Sequence, residues 1–280
     1  PMWHYVLEDH YLRRNPHVAS PENRKHVSVQ PGASPVFPAS KTLSRFNDFN
    51  MSNRFTSACS PEVYRDGWLF GPTNGAQVFI CEPVHNLVHR EVMTAEGVSF
   101  TSRRPDDEQQ REFLASSDNW FRPVMVRTGP DGALWIADMY RAVIEHPEWI
   151  PQAWQRKLDL RAGSDRGRIY RVVRADSPPR QPARLDQLDT PGLVAALDSP
   201  NGWQRDMVQQ MLLWRADQAA IAPLEKLAGS AERPETRLHA LCTLDGLSAL
   251  SVERVAKAID DPHPGVRRHA LRLADAFLAG

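Results

Sequence analysis

The chain has 280 residues, with 34 basic and 34 acidic side chains and therefore no net charge. This balance argues against a general electrostatic grip on nucleic acid or on an anionic membrane. A hydrophobic fraction of 41% is enough for ordinary cores and excludes wholesale disorder. No run approaches the ~18 consecutive apolar residues of a transmembrane helix, and the length suggests two domains.

A change in composition along the chain locates a boundary. Of the 23 aromatic residues, 20 lie within residues 1–174, whereas Ala and Leu are concentrated in the remainder. Aromatic side chains favour sheets, and Ala and Leu favour helices. Three prolines within residues 175–184 are typical of a stiff linker. We therefore predict a mainly β part over 1–174, a linker over 175–184 and an all-α part over 185–280.

The first part contains a cluster of three closely spaced strand patterns. A compact apolar run over residues 76–81 follows a Gly-Pro-Thr-Asn-Gly turn, and residues 87–93 and 97–101 come next. Strands joined by such short connections form an antiparallel meander.

A second strand cluster follows, and it holds a long insertion. Residues 122–127 and 133–137 flank a Gly-Pro-Asp-Gly turn, and residues 168–173 alternate apolar and polar side chains as a half-buried strand does. The ~29 residues between the last two strands are far more than a usual hairpin loop needs. Long loops on a rigid scaffold commonly carry binding groups.

The densest polar cluster beside the strands comprises His85, Asn86, His89 and Arg90. Strand alternation puts residues 85 and 89 on one side, provided that residue 85 already lies in the strand. Two histidines on one side can bind a metal or act as a base and its orienting partner. The alternative is that they bond loop backbone and stabilise the sheet. We predict that all four line a substrate or cofactor pocket.

The second candidate cluster is in the insertion, where Asp138, Tyr140, Arg141, Glu145 and His146 follow a strand. We predict Asp138 and Tyr140 as pocket residues. Arg141 is predicted to clamp a carboxylate or quinone oxygen, with His146 or Glu145 as general base. The alternative is an ion-pair network that holds the insertion down, with Asp138 capping a turn.

The three cysteines are Cys59, Cys81 and Cys242, too few for a disulfide framework. Cys59 and Cys81 either pair, if the protein is exported, or remain two buried thiols. Cys242 is expected in a helical core. The sequence has no Cys-x-x-Cys-His haem motif, no dinucleotide or phosphate loop and no serine-hydrolase elbow. We predict no metal ligands.

The second part repeats itself with a period of 30 residues. Residues 237–241 (Arg-Leu-His-Ala-Leu) recur as 267–271 (Arg-Arg-His-Ala-Leu), each shortly after a proline. Helix pairs with this period favour a HEAT-like solenoid, a common surface for protein partners. The register predicts a core position for four residues and exposure for two arginines. The core residues are Leu238, Leu241, Ala270 and Leu271, and the exposed ones are Arg237 and Arg267.

Residues 1–174 resemble a known family. The segments that carry the resemblance are 3–10, 45–48, 54–60, 81–90, 129–138 and 167–172. They are similar to the planctomycete-type membrane-bound dehydrogenase domain, whose propeller is of the sorbosone and soluble glucose dehydrogenase type. In that family a β-propeller precedes HEAT-like helices and a c-type cytochrome module.

The resemblance implies a quinoprotein-like dehydrogenase that oxidises an alcohol or sugar, with pyrroloquinoline quinone and calcium in the complete propeller. Electrons would pass to a c-type haem outside this chain, and the whole protein would be exported. The alternative is a non-catalytic propeller and HEAT module that binds a polysaccharide or a protein.

The number of blades limits what the chain can do alone. Each blade takes roughly 40–50 residues, and a propeller has about four to eight blades. In this sequence we find strands for only about two blades. We therefore expect a fragment of a longer protein, with only the final blades and without activity by itself.

Overall fold

The computed structural model describes residues 2–8, 11, 17, 19, 22–30, 32–41, 53–71 and 75–278. Segment 45–48, which contributes to the family resemblance, lies outside these residues. The chain divides into two compact units. Unit 1 comprises Pro1–Tyr64, Trp68–Gly129 and Ala133–Pro178, and unit 2 comprises Arg65–Gly67, Pro130–Gly132 and Pro179–Gly280.

Unit 1 is rich in antiparallel sheet. Its strands are β1 (Trp3–Tyr5), β2 (Arg24–His26), β3 (Cys59–Val63), β4 (Ala76–Glu82), β5 (Leu87–Glu96), β6 (Ser99–Arg103), β7 (Leu114–Ala115), β8 (Pro123–Thr128), β9 (Leu134–Asp138) and β10 (Arg168–Val172). A short helix, α1 (Gln152–Gln155), lies in the insertion between β9 and β10. The described strands form open sheets, with no closed barrel or complete propeller among them.

The largest sheet has the order β3-β4-β5-β6, with β7 paired to β5. β4, β5 and β6 form the predicted antiparallel meander. Gly97, at a φ of +57°, makes the two-residue turn between the paired residues Glu96 and Ser99. The segment around Ser28 adds to the outer edge, because Val29 N donates to Ser102 O and Ser102 N donates to Val27 O.

The second sheet has the order β10-β9-β8 and is also antiparallel, as the second strand cluster predicts. The predicted turn between β8 and β9 is closed by a hydrogen bond from Gly129 N to Ala133 O. A shared hydrophobic core packs this sheet against the largest one. Its buried members are Tyr64, Phe79, Cys81, Val88, Phe121, Val126, Leu134 and Ile136. Full burial of each large apolar side chain contributes ~1.5–3 kcal/mol.

Unit 2 is helical. Its α-helices are α2 (Thr190–Ala196), α3 (Gly202–Arg215), α4 (Ile221–Ser230), α5 (Pro234–Gly246), α6 (Val252–Ile259) and α7 (Pro264–Leu278). Residues 175–184 contain no helix or strand, as their prolines predict. None of the described helices has the length and hydropathy of a membrane span.

Two short loops from earlier in the chain belong to unit 2 and anchor its proline-rich start. The buried carboxylate of Asp66 pairs with Arg180 and accepts a hydrogen bond of 2.7 Å from Asn201 Nδ2. Arg180 N also donates to Asp131 O at 3.1 Å. This segment is therefore fixed although it has no regular secondary structure.

The helical repeat is visible in three arginines. Arg205, Arg237 and Arg267 lie near the starts of α3, α5 and α7, and each donates to the carbonyl six residues earlier in the chain. The predicted exposure of Arg237 and Arg267 is therefore wrong: both are partly buried, because their guanidinium groups hold the preceding loop. Arg237 also forms a bidentate pair with Asp261.

The predicted core register is correct at three of its four positions. Leu241 and Ala270 are buried, and Leu238 packs against the core. Leu271 is 57% exposed and its predicted core position is wrong. Its sequence equivalent, Leu241, lies in α5, which packs against both α4 and α7. Among the described residues nothing comparable covers the Leu271 side of α7.

Candidate functional site

A buried charged network centres on His89 in β5. Side chains alternate along a strand, so His89 and Glu91 share one face while Arg90 lies on the other. Nδ1 of His89 lies 2.8 Å from Oε2 of Glu112, and its Nε2 lies 3.4 Å from Oε1 of Glu91. Only 1% of His89 is exposed, so this imidazole is held between two carboxylates away from solvent.

Further donors hold the two carboxylates in place. Nη2 of Arg104 lies 2.7 Å from Oε1 of Glu112, which also accepts from Phe37 N at 3.0 Å. Glu91 accepts hydrogen bonds from the hydroxyls of Ser28 and Ser102. Each carboxylate therefore has partners besides His89, and the network is rigid.

The network shifts the pKa values of its members. Burial lowers the pKa of His89, but the hydrogen bonds to Glu112 and Glu91 outweigh it, and the pKa is raised. Burial raises the pKa of Glu91 and of Glu112, but the hydrogen bonds from His89 and from their other donors outweigh it, and both are lowered. The arrangement therefore favours an imidazolium between two carboxylates.

A cavity of about 160 Å³ opens beside this network. We call it the histidine pocket; its lining residues are Ser28, Val29, Gln30, Ser34, His89, Glu91, Arg103, Arg104 and Gln109. The lining combines guanidinium and amide groups of Arg103, Arg104, Gln30 and Gln109 with oxygen acceptors from Glu91 and the serines, whereas both ring nitrogens of His89 are already engaged by Glu91 and Glu112. It suits a small ligand whose groups both donate and accept hydrogen bonds.

The first predicted cluster is split among separate environments. His85 lies in a 3-10 helix (Pro83–His85) rather than in the strand, so the condition for a common side with His89 is not met. Its Nδ1 lies 3.3 Å from Oε1 of Glu82, and its Nε2 accepts from Asn53 N. Arg90 pairs with Glu108 and lies over the rings of Phe70 and Phe113. His89 alone of the four lines the histidine pocket.

Asn86 and Asp138 hold the same peptide from opposite sides. Asn86, left-handed at a φ of 58°, donates from Nδ2 to Phe121 O at 2.6 Å. Oδ1 of Asp138 accepts from Arg122 N at 2.7 Å and from Tyr140 N at 2.8 Å. Phe121 O and Arg122 N belong to one peptide group, so both side chains position backbone. For Asp138 this is the turn-capping alternative.

Arg122 joins the two predicted clusters. This buried guanidinium donates to Pro83 O and Val84 O on one side, and to Arg141 O and Ala142 O on the other. The loops that carry both clusters thus meet at one end of the two sheets. Their side chains act there mainly on backbone.

The predicted catalytic residues of the insertion do not converge. Arg141 donates to backbone carbonyls, including those of Gly163 and Ser164, and holds two parts of the insertion together. Arg168 lies 3.7 Å over the ring of Tyr140. His146 is exposed and accepts from Glu148 N at 3.3 Å, and Glu145 is half-buried.

Among the described residues, no group of three His, Cys, Asp or Glu side chains is arranged to hold a metal ion such as calcium. All three cysteines are free thiols. Cys242 is half-buried in α5, and burial raises its thiol pKa.

Sequence reasoning missed three members of the His89 network. Glu91 could have been predicted from the sequence, because residue i+2 of a strand lies on the same face as residue i. Glu112 and Arg104 lie outside β5 and reach His89 only through the fold, so no spacing rule connects them to it.

Residues 1–176 match the protein family described as "Domain of unknown function (DUF7133)". The comparison with curated proteins gave no significant match, and neither did the comparison with solved structures. The family match covers more than half of the 280 residues and includes the whole histidine pocket. The chain therefore belongs to the DUF7133 family.

Proposed function

We propose that unit 1 is part of a quinoprotein-like dehydrogenase propeller and that the histidine pocket takes its hydroxylated substrate, an alcohol or a sugar. The observation that carries this proposal is the pocket itself, a polar cavity lined by the Glu91 carboxylate beside the buried His89 network. A hydroxyl group is both donor and acceptor. It therefore matches a wall that combines the guanidinium of Arg104 with the carboxylate of Glu91.

The sheets support the propeller part of the proposal. Propeller blades are four-stranded antiparallel sheets, and neighbouring blades pack against each other around the central channel. The largest sheet runs β3 to β6 in sequence order, and it shares its core with the sheet of β8 to β10. On this proposal these sheets are neighbouring blades of a propeller completed by residues outside the described ones.

The repeated arginines of unit 2 support a HEAT-like solenoid. A side chain that makes the same contact in successive helix pairs is what a stacked repeat requires. Such solenoids present extended surfaces to protein partners. We propose that unit 2 has this role in the whole protein, which we place in the cell envelope or periplasm.

The cofactors belong to the whole protein on this proposal. The described residues do not fit calcium, and the sequence contains no Cys-x-x-Cys-His for covalent haem. Pyrroloquinoline quinone, calcium and a c-type haem would be held by other parts of the protein. In this chain, Glu91 would bind and orient substrate hydroxyl groups, and His89 would hold Glu91 in place.

Turnover of the whole protein tests this function. Reduction of an electron-acceptor dye would be followed over a panel of sugars and alcohols, with pyrroloquinoline quinone and calcium supplied. We expect substrate-dependent reduction, and Glu91→Gln should lower kcat/KM at least ~10-fold, since a hydrogen bond to a charged group contributes about 1.5–3 kcal/mol.

Glu96→Gln is the matched control, because Glu96 lies in the same strand but pairs with Lys25 in solvent. It should leave kcat/KM unchanged. A whole protein that turns over no member of the panel, or a Glu91→Gln variant with full activity, would contradict the proposal. The first result would favour a binding or scaffolding module.

A further inference from the structure

A β-bulge places Cys59 opposite Cys81. The pairing of β3 with β4 is regular at Val63↔Val78 and Glu62↔Phe79. Continued without a shift, that register would put Ser60 opposite Cys81. The register shifts between residues 59 and 62, and Cys59 takes the place instead. Bulges of this kind change which side chain faces the partner strand.

The bulge is held in place by the neighbouring sheet. Ser60 is left-handed at a φ of 51°, a conformation that non-glycine residues seldom adopt. Its hydroxyl accepts from Val126 N at 3.2 Å and from Nη1 of Arg127 at 3.1 Å. These contacts stabilise the bulge that sets Cys59 opposite Cys81.

The register places the two cysteines at opposed positions, which a disulfide can join. Directly opposed residues of antiparallel strands have Cα atoms ~4.5–5.5 Å apart, and disulfides join Cα atoms ~4.4–6.8 Å apart. No large backbone movement is needed to join them.

The two thiols differ in exposure and acidity. Cys81 is fully buried in the shared core, whereas Cys59 is half-buried at the edge strand β3. The hydrogen bond from Cys81 lowers the pKa of Cys59, although burial and the charge of Glu82 act against it. The same bond and burial raise the pKa of Cys81. Cys59 is therefore the thiol that is ionised first and that solvent reaches.

We propose that Cys59 and Cys81 are a redox pair, in which a hydroperoxide oxidises Cys59 and Cys81 then closes an intramolecular disulfide. The Cys59 thiolate attacks a peroxide oxygen, the O–O bond breaks, and with hydrogen peroxide a sulfenic acid forms and water is released. The Cys81 sulfur then attacks the Cys59 sulfur. The S–S bond forms, the S–O bond breaks, and a second water leaves. Two thiols lose two electrons to one peroxide.

Cys242 is the internal comparison. It lies in unit 2, its pKa is raised by burial, and its sulfur accepts a hydrogen bond from Nη2 of Arg272 at 3.8 Å. Neither of the other two cysteines belongs to unit 2. A reaction governed by exposure alone would not distinguish Cys242 from Cys59, since both are half-buried.

The test is titration of the full chain with hydrogen peroxide, followed by thiol counting in denaturant and peptide mapping without reductant. We expect the free thiols to fall from three to one, with a single cross-linked peptide that joins Cys59 to Cys81. Dithiothreitol should restore all three. Cys81→Ser should stop the reaction at a sulfenic acid on Cys59, which dimedone traps.

Cys242→Ser should oxidise as the native chain does, whereas Cys59→Ser should form no cross-link. The wild-type map decides the question even if a cysteine variant fails to fold. Three thiols that remain after complete titration would overturn the proposal. So would a cross-link that includes Cys242, or irreversible oxidation of Cys59 without the disulfide.

Discussion

His89 shows how a single residue is stabilised by partners that are distant in sequence. Glu112 lies 23 residues away and Glu91 two residues away, yet both contact the imidazole. The sequence placed His89 beside the strands and predicted that it lines a substrate or cofactor pocket. It could not supply Glu112 or Arg104, because their contacts depend on how the loop after β6 folds back on β5.

Removal of the imidazole should strongly destabilise unit 1. His89→Gln cannot supply the positive charge, and it leaves two buried carboxylates without their shared partner. We expect the free energy of unfolding to fall by about 3–5 kcal/mol at neutral pH, as measured by denaturant titration. His146→Gln, at an exposed side chain, should change it by less than ~0.5 kcal/mol. Equal effects of the two variants would show that the network adds nothing to stability.

The same network predicts how stability depends on pH. The pKa of His89 is raised on folding, so its contribution is complete below ~6.5, the usual histidine value, and is lost as pH rises through the folded value. The pKa values of Glu91 and Glu112 are lowered, so their contribution is present above ~4.3 and is lost as pH falls through the folded values.

Denaturant unfolding measured at a series of pH values tests these directions of change in stability. The difference in unfolding free energy between wild type and His89→Gln should be largest between about pH 4.3 and 6.5. It should shrink as the pH rises through the folded pKa of His89. A difference that grows steadily with pH would mean that the imidazole is neutral in the folded state.

At the scale of elements, the strands and helices follow from local pattern, whereas their burial depends on neighbours. The two antiparallel sheets and the helical part agree with composition, turn residues and alternation. Leu271 does not agree, because its repeat equivalent is buried by packing on both sides of α5. Arg237 and Arg267 were also wrongly predicted to be exposed, because a hydropathy pattern does not show that their guanidinium groups bond to preceding carbonyls.

Two leucines at equivalent repeat positions therefore test the register. Leu241 is 1% exposed and Leu271 is 57% exposed. Leu241→Ala should lower the free energy of unfolding by ~2–5 kcal/mol, as buried leucine truncations do. Leu271→Ala should lower it by less than ~0.5 kcal/mol. Similar losses at both positions, measured by thermal or denaturant unfolding, would contradict this packing.

At the scale of the whole molecule, the sequence predicted a β part, a proline-rich segment and an α part, and these are present. The structure divides the chain between Pro178 and Pro179 and assigns two earlier loops to unit 2. The composition of these loops does not predict that they belong to unit 2, because long-range hydrogen bonds such as those of Asp66 hold them there. The histidine pocket likewise joins residues 28–30 and 34, residues 89 and 91, and residues 103, 104 and 109, which only the fold brings together.

Direct ligand binding tests the central claim that the histidine pocket accepts a hydroxylated ligand. Isothermal titration calorimetry of the chain with a panel of sugars and sugar alcohols gives affinity without any need for cofactor or turnover. The account predicts saturable binding of at least one member at one site per chain. That binding should be weakened at least ~10-fold in Glu91→Gln, which loses a charged acceptor, and be unchanged in Glu96→Gln. No binding across the panel, or binding that Glu91→Gln leaves intact, would contradict it.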